Sequence, residues 1–451
     1  MKLESLLLAA AAASSTSASL SPLRRHDTRA NSHHRNPAPI TSTLDAFWFD
    51  VEVQIDGQSF FLLVDTGSSD TWVAKTGYRC ISSLNHTELP QGDCGWSPTF
   101  DEPDGFEYIQ NQTFGVKYGT GIAIGKVAVA NVTLAGVTVA GQTVGIVDST
   151  NDKADGLNSG ILGLGYPALT SAHYGLNNSN STEALLTNRA VYDPLFANMY
   201  KKDLVDSSWY SIALERPQKN LTTSPGGWLG LGELPPVSHS NDWAVAGVEI
   251  TEAIPVEFYP QGKPEITLMT LSVDSVTWGK SKAPKASLKT NSTKFQAVVD
   301  TGNPLNELPT EVAAEINTAF DPPAQFSEDL GVYVVDCNAT APQVGVTIDK
   351  HTFWHEAVDL IREDASTGLC YSAITPAAED LGISLSFLGD AFLRNVVSVF
   401  DMGKDEMRFA ARTEETADQP TPTSITSGAS VLGRHGIWQL GVALGLLSQL
   451  M

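Results

Sequence analysis

The sequence predicts a mainly β protein of two related lobes with a cleft between them, and three features lead to that reading. Short β-rich runs broken by Gly, Asn and Pro dominate the chain, helical patterns are few, and an apolar run ending in Asp-Thr-Gly occurs twice. With 451 residues and 42% hydrophobic content, the chain can build one large core or two medium ones and is too apolar for general disorder.

The N-terminus opens with Met1-Lys2, an apolar run over Leu6–Ala13 and small residues to Ala18, so residues 1–18 read as a cleavable secretory signal peptide. Residues 19–36 carry Arg24, Arg25, Arg29 and Arg35 with little apolar periodicity, the pattern of a short basic pro-segment. The folded body is expected near Phe47, with an N-terminal lobe over 46–215 and a C-terminal lobe over 216–412. Strands are predicted at Trp48–Ile55, Ser59–Val64, Phe114–Tyr118, Lys126–Leu134 and Thr143–Val147, and helices at Asp193–Lys201 and Thr310–Phe320. Residues 413–430 are rich in Thr, Ser and Pro and read as a linker. In 431–451 a spacer and the apolar stretch Ile437–Met451 follow the small residues Ser427–Ser430. That stretch is shorter than the roughly 20 residues a spanning helix needs. It reads as a cleavable GPI-anchor signal, which would place the protein at the cell surface; an ordinary amphipathic terminus is the alternative.

A formal charge of −23, from 28 Lys+Arg against 51 Asp+Glu, argues against nucleic acid and anionic membrane surfaces as partners. Carboxylates lose their charge in acid, so such a chain carries limited positive self-repulsion there. A monomer acting on protein or peptide substrates is expected, with any membrane attachment through the terminal lipid alone. Four cysteines in an oxidising compartment allow three connectivities; the sequence neighbours Cys80/Cys94 and Cys337/Cys370 are the expected pairs. Sequons at Asn85, Asn111, Asn131, Asn177, Asn180, Asn220, Asn291 and Asn338 fit a glycosylating secretory route.

The chemistry rests on the repeat. The runs FFLLVDTG and FQAVVDTG end at Asp65-Thr66-Gly67 and Asp300-Thr301-Gly302, and each is followed by an apolar pair and Gly, at Ile161-Leu162-Gly163 and Phe387-Leu388-Gly389. One Asp-Thr-Gly is ordinarily a turn; two at matching places in a repeat supply paired carboxylates. The glycine is read as permitting a tight turn at the strand end. Two carboxyls sharing a site cannot both ionise easily, so one proton is held between them. The ionised partner can activate water and the protonated one can polarise a carbonyl. Other signals are weaker. His351 and His355 lack a third ligand, and Gly163-x-Gly165-x-x-Ala168 lacks a βαβ context. No metal or cofactor is expected.

The segments FLLVDTGSSDTW (61–72), KYGTG (117–121), ILGLGYP (161–167), Asp300-Thr301-Gly302 and FLGDAFLRNVVSVFD (387–401) resemble pepsin-family motifs in the family's order, over about residues 46–412. The resemblance implies a bilobal pepsin-like acid protease fold with a β-hairpin flap over the cleft. It makes Asp65 and Asp300 the catalytic pair of an aspartic endopeptidase, Ser68 the hydroxyl supporting Asp65, and Thr66 and Thr301 the residues locking the two loops. Tyr118, followed by Gly119 and Thr120, becomes the flap tyrosine, with Trp72 its hydrogen-bond donor. Leu63, Tyr118, Ile161 and Val298 line the primary substrate pocket, favouring large apolar side chains. Cys337/Cys370 matches the C-terminal-lobe disulfide. Departures are Asn303-Pro304 where a hydroxyl usually supports the second Asp, Ile122 after the flap motif, and a short pro-segment. The Asn303 amide is expected to support Asp300 with altered tuning. Competing readings are a catalytically silent cell-surface binding protein and, more remotely, a two-carboxylate glycosidase.

Overall fold

The computed structural model describes residues 37–43, 47–118, 121–175, 188–218, 221, 223–364, 367–380 and 383–413. The expected signal peptide, pro-segment and anchor tail, the linker from 414 onward, Gly119, Thr120, and the sequons at Asn177, Asn180 and Asn220 lie outside the described residues.

The chain is mostly β, as its alternation demands. It begins with β1 (Ala38–Thr43), β2 (Trp48–Ile55), β3 (Gln58–Asp65), β4 (Thr71–Ile81), β5 (Glu88–Leu89), β6 (Tyr108–Lys117), β7 (Ile122–Leu134), β8 (Val137–Thr150), β9 (Gly160–Gly163) and β10 (Ala172–Tyr174). In β2 the pattern is period two: Val51, Val53 and Ile55 are buried while Glu52 and Gln54 face water. Asp56 and Gly57, both at positive φ, turn β2 into β3, the backbone a two-residue hairpin needs. Phe60, Leu62 and Val64 of β3 enter the main core, and Leu63 points to the other side, against Trp72, Tyr118 and Ile161.

Next come β11 (Trp209–Leu214), β12 (Thr223–Leu231) and β13 (His239–Gly247), then β14 (Thr270–Val273), β15 (Ser275–Gly279), β16 (Lys289–Asn291), β17 (Phe295–Val299) and β18 (Asn306–Leu308). Four of the five strands predicted from the sequence lie within observed ones, and the fifth, Phe114–Tyr118, overruns β6 by one residue, at Tyr118. The two helices are shorter than predicted, at Leu195–Lys201 and Thr310–Asn317.

One 15-stranded sheet runs from β10 at one edge through β3, β2, β1, β12 and β11 to the strands Val396–Asp401 and Glu406–Arg412, ending at β13. β1 is the seam: Ile40 pairs with Val51 of β2 on one side, and Ala38 pairs with Leu229 of β12 on the other. The ordered body therefore starts upstream of Phe47. APITST is not an apolar run, and most of its burial comes from being flanked by strands on both sides rather than from alternation.

The repeat read from the sequence is a repeat of topology. β3 pairs in parallel with β9, placing Asp65 opposite Gly163, and β4 pairs antiparallel with β9. β17 pairs in parallel with Ser386–Leu388, and β18 pairs antiparallel with that same strand. Each Asp thus leaves a strand beside the same kind of central partner. Disulfides join Cys80 to Cys94 and Cys337 to Cys370, as the sequence spacing suggests.

Candidate active site

β3 ends at Asp65 and β17 ends at Val299, directly before Asp300, and the loops there bring both carboxyls into one buried site. The Gly67 N–H donates to Asp65 Oδ1 at 2.8 Å and the Gly302 N–H to Asp300 Oδ1 at 2.8 Å. The Ser68 hydroxyl donates to Asp65 Oδ2. Among the described residues Asp300 Oδ2, also buried, has no donor.

Neither glycine sits at positive φ; what each supplies is the missing Cβ rather than the turn conformation read from the sequence. A Cβ at Gly67 would lie 2.6 Å from Asp300 Oδ1, and one at Gly302 would lie 2.7 Å from Asp65 Oδ1. Each triplet's glycine makes room for the other triplet's carboxylate.

The threonines bind the loops to each other. The Thr66 N–H donates to Thr301 Oγ1 at 3.1 Å and the Thr301 N–H to Thr66 Oγ1 at 3.0 Å. Their hydroxyls then donate to the strands across the site, Thr66 Oγ1 to the Val299 carbonyl at 2.9 Å and Thr301 Oγ1 to the Val64 carbonyl at 2.6 Å.

Burial raises both acids above the usual carboxylate range. For Asp65 the hydrogen bonds from Ser68 and Gly67 oppose that rise. For Asp300 the negative charge of Asp65 adds to it, so Asp300 is held well above the usual range. The asymmetry assigns the proton to Asp300 and the charge to Asp65.

The hairpin β6–β7 carries Tyr118 over this site, where it is buried and accepts a hydrogen bond from Trp72 Nε1 at 2.8 Å. Burial, then the charges of Asp70 and Asp65, push its phenol far up, so it stays a neutral donor. Leu63, Ile161 and Tyr118 share one apolar cluster with Trp72 and Phe114. Val298 falls in a separate cluster with Leu169, Tyr259 and Phe387, so the four residues read as one pocket form two apolar walls.

Asn303 departs from its expected role. Its Nδ2 donates to Glu307 Oε1 at 2.9 Å and its Oδ1 accepts the Leu305 N–H at 3.0 Å, so both ends of the amide are engaged away from Asp300. Burial pushes Glu307 up to about 8.

Two groups near the site were not singled out in the sequence. Asp70 is buried and accepts the Ser171 N–H at 2.9 Å and the Tyr192 hydroxyl at 2.5 Å. Glu307 sits fully buried in β18 between Asn306 and Leu308. An acid inside a buried strand is the signal for Glu307; Asp70 looks like part of a polar turn. The Gly163–Ala168 run supports the loop after Asp65, its Gly165 N–H donating to the Ser68 carbonyl at 2.7 Å. His351 and His355 face separate partners, Asp242 for the first and Asn306 with the Val344 carbonyl for the second. Asn85, Asn111, Asn131 and Asn338 are exposed and Asn291 is half-buried.

Comparison with known proteins agrees with this geometry. Residues 46–412 match the eukaryotic aspartyl protease family. A probable aspartic-type endopeptidase of Aspergillus fumigatus is 36% identical over 378 residues, covering 83% of this chain and 81% of that protein. Mouse gastricsin is 25% identical over 377 residues, covering 81% of each chain. The crystal structure of the aspartic proteinase from Irpex lacteus superposes with a TM-score of 0.60 at 19% identity, over 85% of this chain and 99% of that one.

Proposed function

The chain belongs to the eukaryotic aspartyl protease family and is an aspartic-type endopeptidase, and from that premise we propose that Asp65 and Asp300 hydrolyse peptide bonds at acidic pH through one activated water. The observation that carries the proposal is the facing pair itself, each carboxyl braced by the N–H of its own glycine and crowded against the glycine of the other loop.

The ionised Asp65 takes a proton from water as the water oxygen bonds the peptide carbonyl carbon, while Asp300 gives its proton to the carbonyl oxygen. In the collapse of the resulting diol, one hydroxyl proton returns to Asp300, the C–N bond breaks, and Asp65 protonates the leaving nitrogen. The enzyme ends as it began. Trp72 holds Tyr118 over the reacting carbonyl. The apolar wall of Leu63, Ile161 and Tyr118 supports a preference for large apolar side chains, each worth roughly 1.5–3 kcal/mol on burial. Thr120 and Ser159 bring no acidic group for a substrate Lys or Arg, so cleavage chiefly after basic pairs is not expected.

Single Asp65→Asn and Asp300→Asn variants should each lose nearly all turnover and the double variant little more, because the two acids act as one unit. A folded Asp300→Asn protein with substantial acid proteolysis would overturn the mechanism. Secretion and a terminal lipid anchor form part of the same reading, supported by Leu6–Ala13 and by Ser427–Met451. Phosphatidylinositol-specific phospholipase C should release the protein from cells; a secreted form retaining Met451 would remove the anchor.

A further inference from the structure

The two halves of the site repeat each other closely except at one atom. Ser68 stands directly after Gly67 and donates to Asp65 Oδ2; Asn303 stands directly after Gly302, at the matching place, and donates nothing to Asp300 Oδ2. The reason lies four residues downstream. Glu307 accepts the Asn303 amide, and the Leu305 N–H fixes the Asn303 carbonyl, so turning the amide toward Asp300 would forfeit both hydrogen bonds.

We propose that Asn303 and Glu307 are a pair of positioning residues: Glu307 holds the Asn303 amide off Asp300, the catalytic proton stays on Asp300, and activity extends to higher pH than a hydroxyl at position 303 would allow. The proposal rests on the two-carboxylate reading above and goes beyond it by naming what sets the upper limit of its pH range. A donor at Asp300 Oδ2 would favour the ionised carboxylate and release the proton sooner as pH rises.

The charged groups acting on Asp300 do not substitute for that donor. Asp65 opposes it across the site, by its charge and by a side-chain hydrogen bond that keeps the proton on Asp300, whereas Asp390, at the start of the short helix Asp390–Leu393, is itself raised to about 8 by burial and stays neutral in acid. Arg394 stands 3.9 Å from Asp390. Glu307 faces Asn303 and the Ala378 N–H. The Asp65 carboxylate therefore acts in the same direction as the missing donor: it keeps Asp300 protonated.

The test is the upper limb of the kcat/KM pH profile, measured on the mature protease with one apolar peptide substrate. Asn303→Thr and Asn303→Ser place a hydroxyl where the repeat aligns it with Asp300 Oδ2 and should move the limb down by about one pH unit. Glu307→Gln retains an acceptor for the amide and should hold the limb in place. Glu307→Leu frees the amide to turn to Asp300 and should move the limb down. A structural defect alone would lower activity at every pH without moving the midpoint. Active, folded Asn303→Thr and Asn303→Ser proteins with unmoved limbs overturn the proposal, as does a Glu307→Leu limb that stays in place. Asp300→Asn, run alongside, separates the two levels: if it is inactive while the limbs do not move, only the positioning role fails, whereas an active Asp300→Asn removes the two-carboxylate mechanism and this proposal with it.

Discussion

Thr66 and Thr301 exchange hydrogen bonds across the candidate site between Asp65 and Asp300, each backbone N–H donating to the other's hydroxyl, at 3.1 and 3.0 Å. Each hydroxyl also donates to a strand carbonyl of the other half, so four hydrogen bonds cross between loops far apart in sequence. Thr66→Val or Thr301→Val leaves a buried N–H and a buried carbonyl without partners. We expect a loss of about 2–4 kcal/mol in a urea titration, with Thr→Ser at either place near wild type because the hydroxyl survives. A Thr→Val protein near wild type beside a destabilised Thr→Ser protein would mean that the methyl packing, rather than the hydrogen bonds, matters.

Gly67 and Gly302 test the geometry of the dyad. A methyl at either would sit 2.6–2.7 Å from an oxygen of the opposite carboxylate and must push it aside. Displacement of a reacting group by about 1 Å can cost on the order of 100-fold, so Gly67→Ala and Gly302→Ala should each reduce kcat by at least that factor. Circular dichroism should remain close to wild type, because neither position needs a positive φ. Near-normal turnover in either variant would show that the carboxylates are less closely opposed than described.

The strands around each Asp are legible because FFLLVD and FQAVV alternate or run apolar, and the repeated Asp-Thr-Gly points to the paired topology. The site residues were legible where the motif names them. What the sequence could not show was direction. Asn303 reads as a donor beside Asp300, yet a turn contact to Leu305 and an acid four residues on decide where its amide points. Val298 shares a motif with the pocket residues but lies on the strand leading to Asp300, which gives it a different wall. β1 was illegible for a related reason: its burial is tertiary, set by the strands on each side.

If the pro-segment read at residues 19–36 is removed, β1 bounds where the cut can fall. Because Ala38–Thr43 pairs with both β2 and β12, and Ser42 Oγ meets Ser224 Oγ at 2.7 Å, maturation must leave this strand in place. The basic residue closest to it on the N-terminal side is Arg35. N-terminal sequencing of the mature protein should therefore find a first residue at or before Ala38. A version starting at Phe47 should lose several degrees of thermal midpoint and much of its activity, since removing β1 exposes the edges of two paired strands. A fully active, equally stable protein starting at Phe47 would show that the strand is dispensable.

The buried acids set the pH dependence of folding. Glu307 rises from 4.5 to about 8 and Asp390 from 3.8 to about 8, and burial also raises Asp50 and Asp300. A group whose folded pKa is raised binds more protons in the native state, so its contribution is fully present below the unfolded pKa and is lost as pH rises through the folded one. For Glu307 and Asp390 that window runs from about pH 4 to about pH 8. His355 acts in the opposite sense: burial lowers its pKa, so its contribution improves as pH rises toward 6.5. Glu102, against the effect of burial, and Asp274 are lowered by their partners Lys75 and Lys294 and act in the same sense as His355, but these are surface pairs screened by water, so the balance stays with the several buried carboxyls. The urea midpoint should accordingly fall from pH 4.5 to pH 8, and Glu307→Gln, which cannot ionise, should flatten that fall while Gln still accepts from Asn303. A wild-type protein more stable at pH 8 than at pH 4.5 would mean that these carboxyls ionise in the folded state at little cost, and that the burial described for them does not shield them from water.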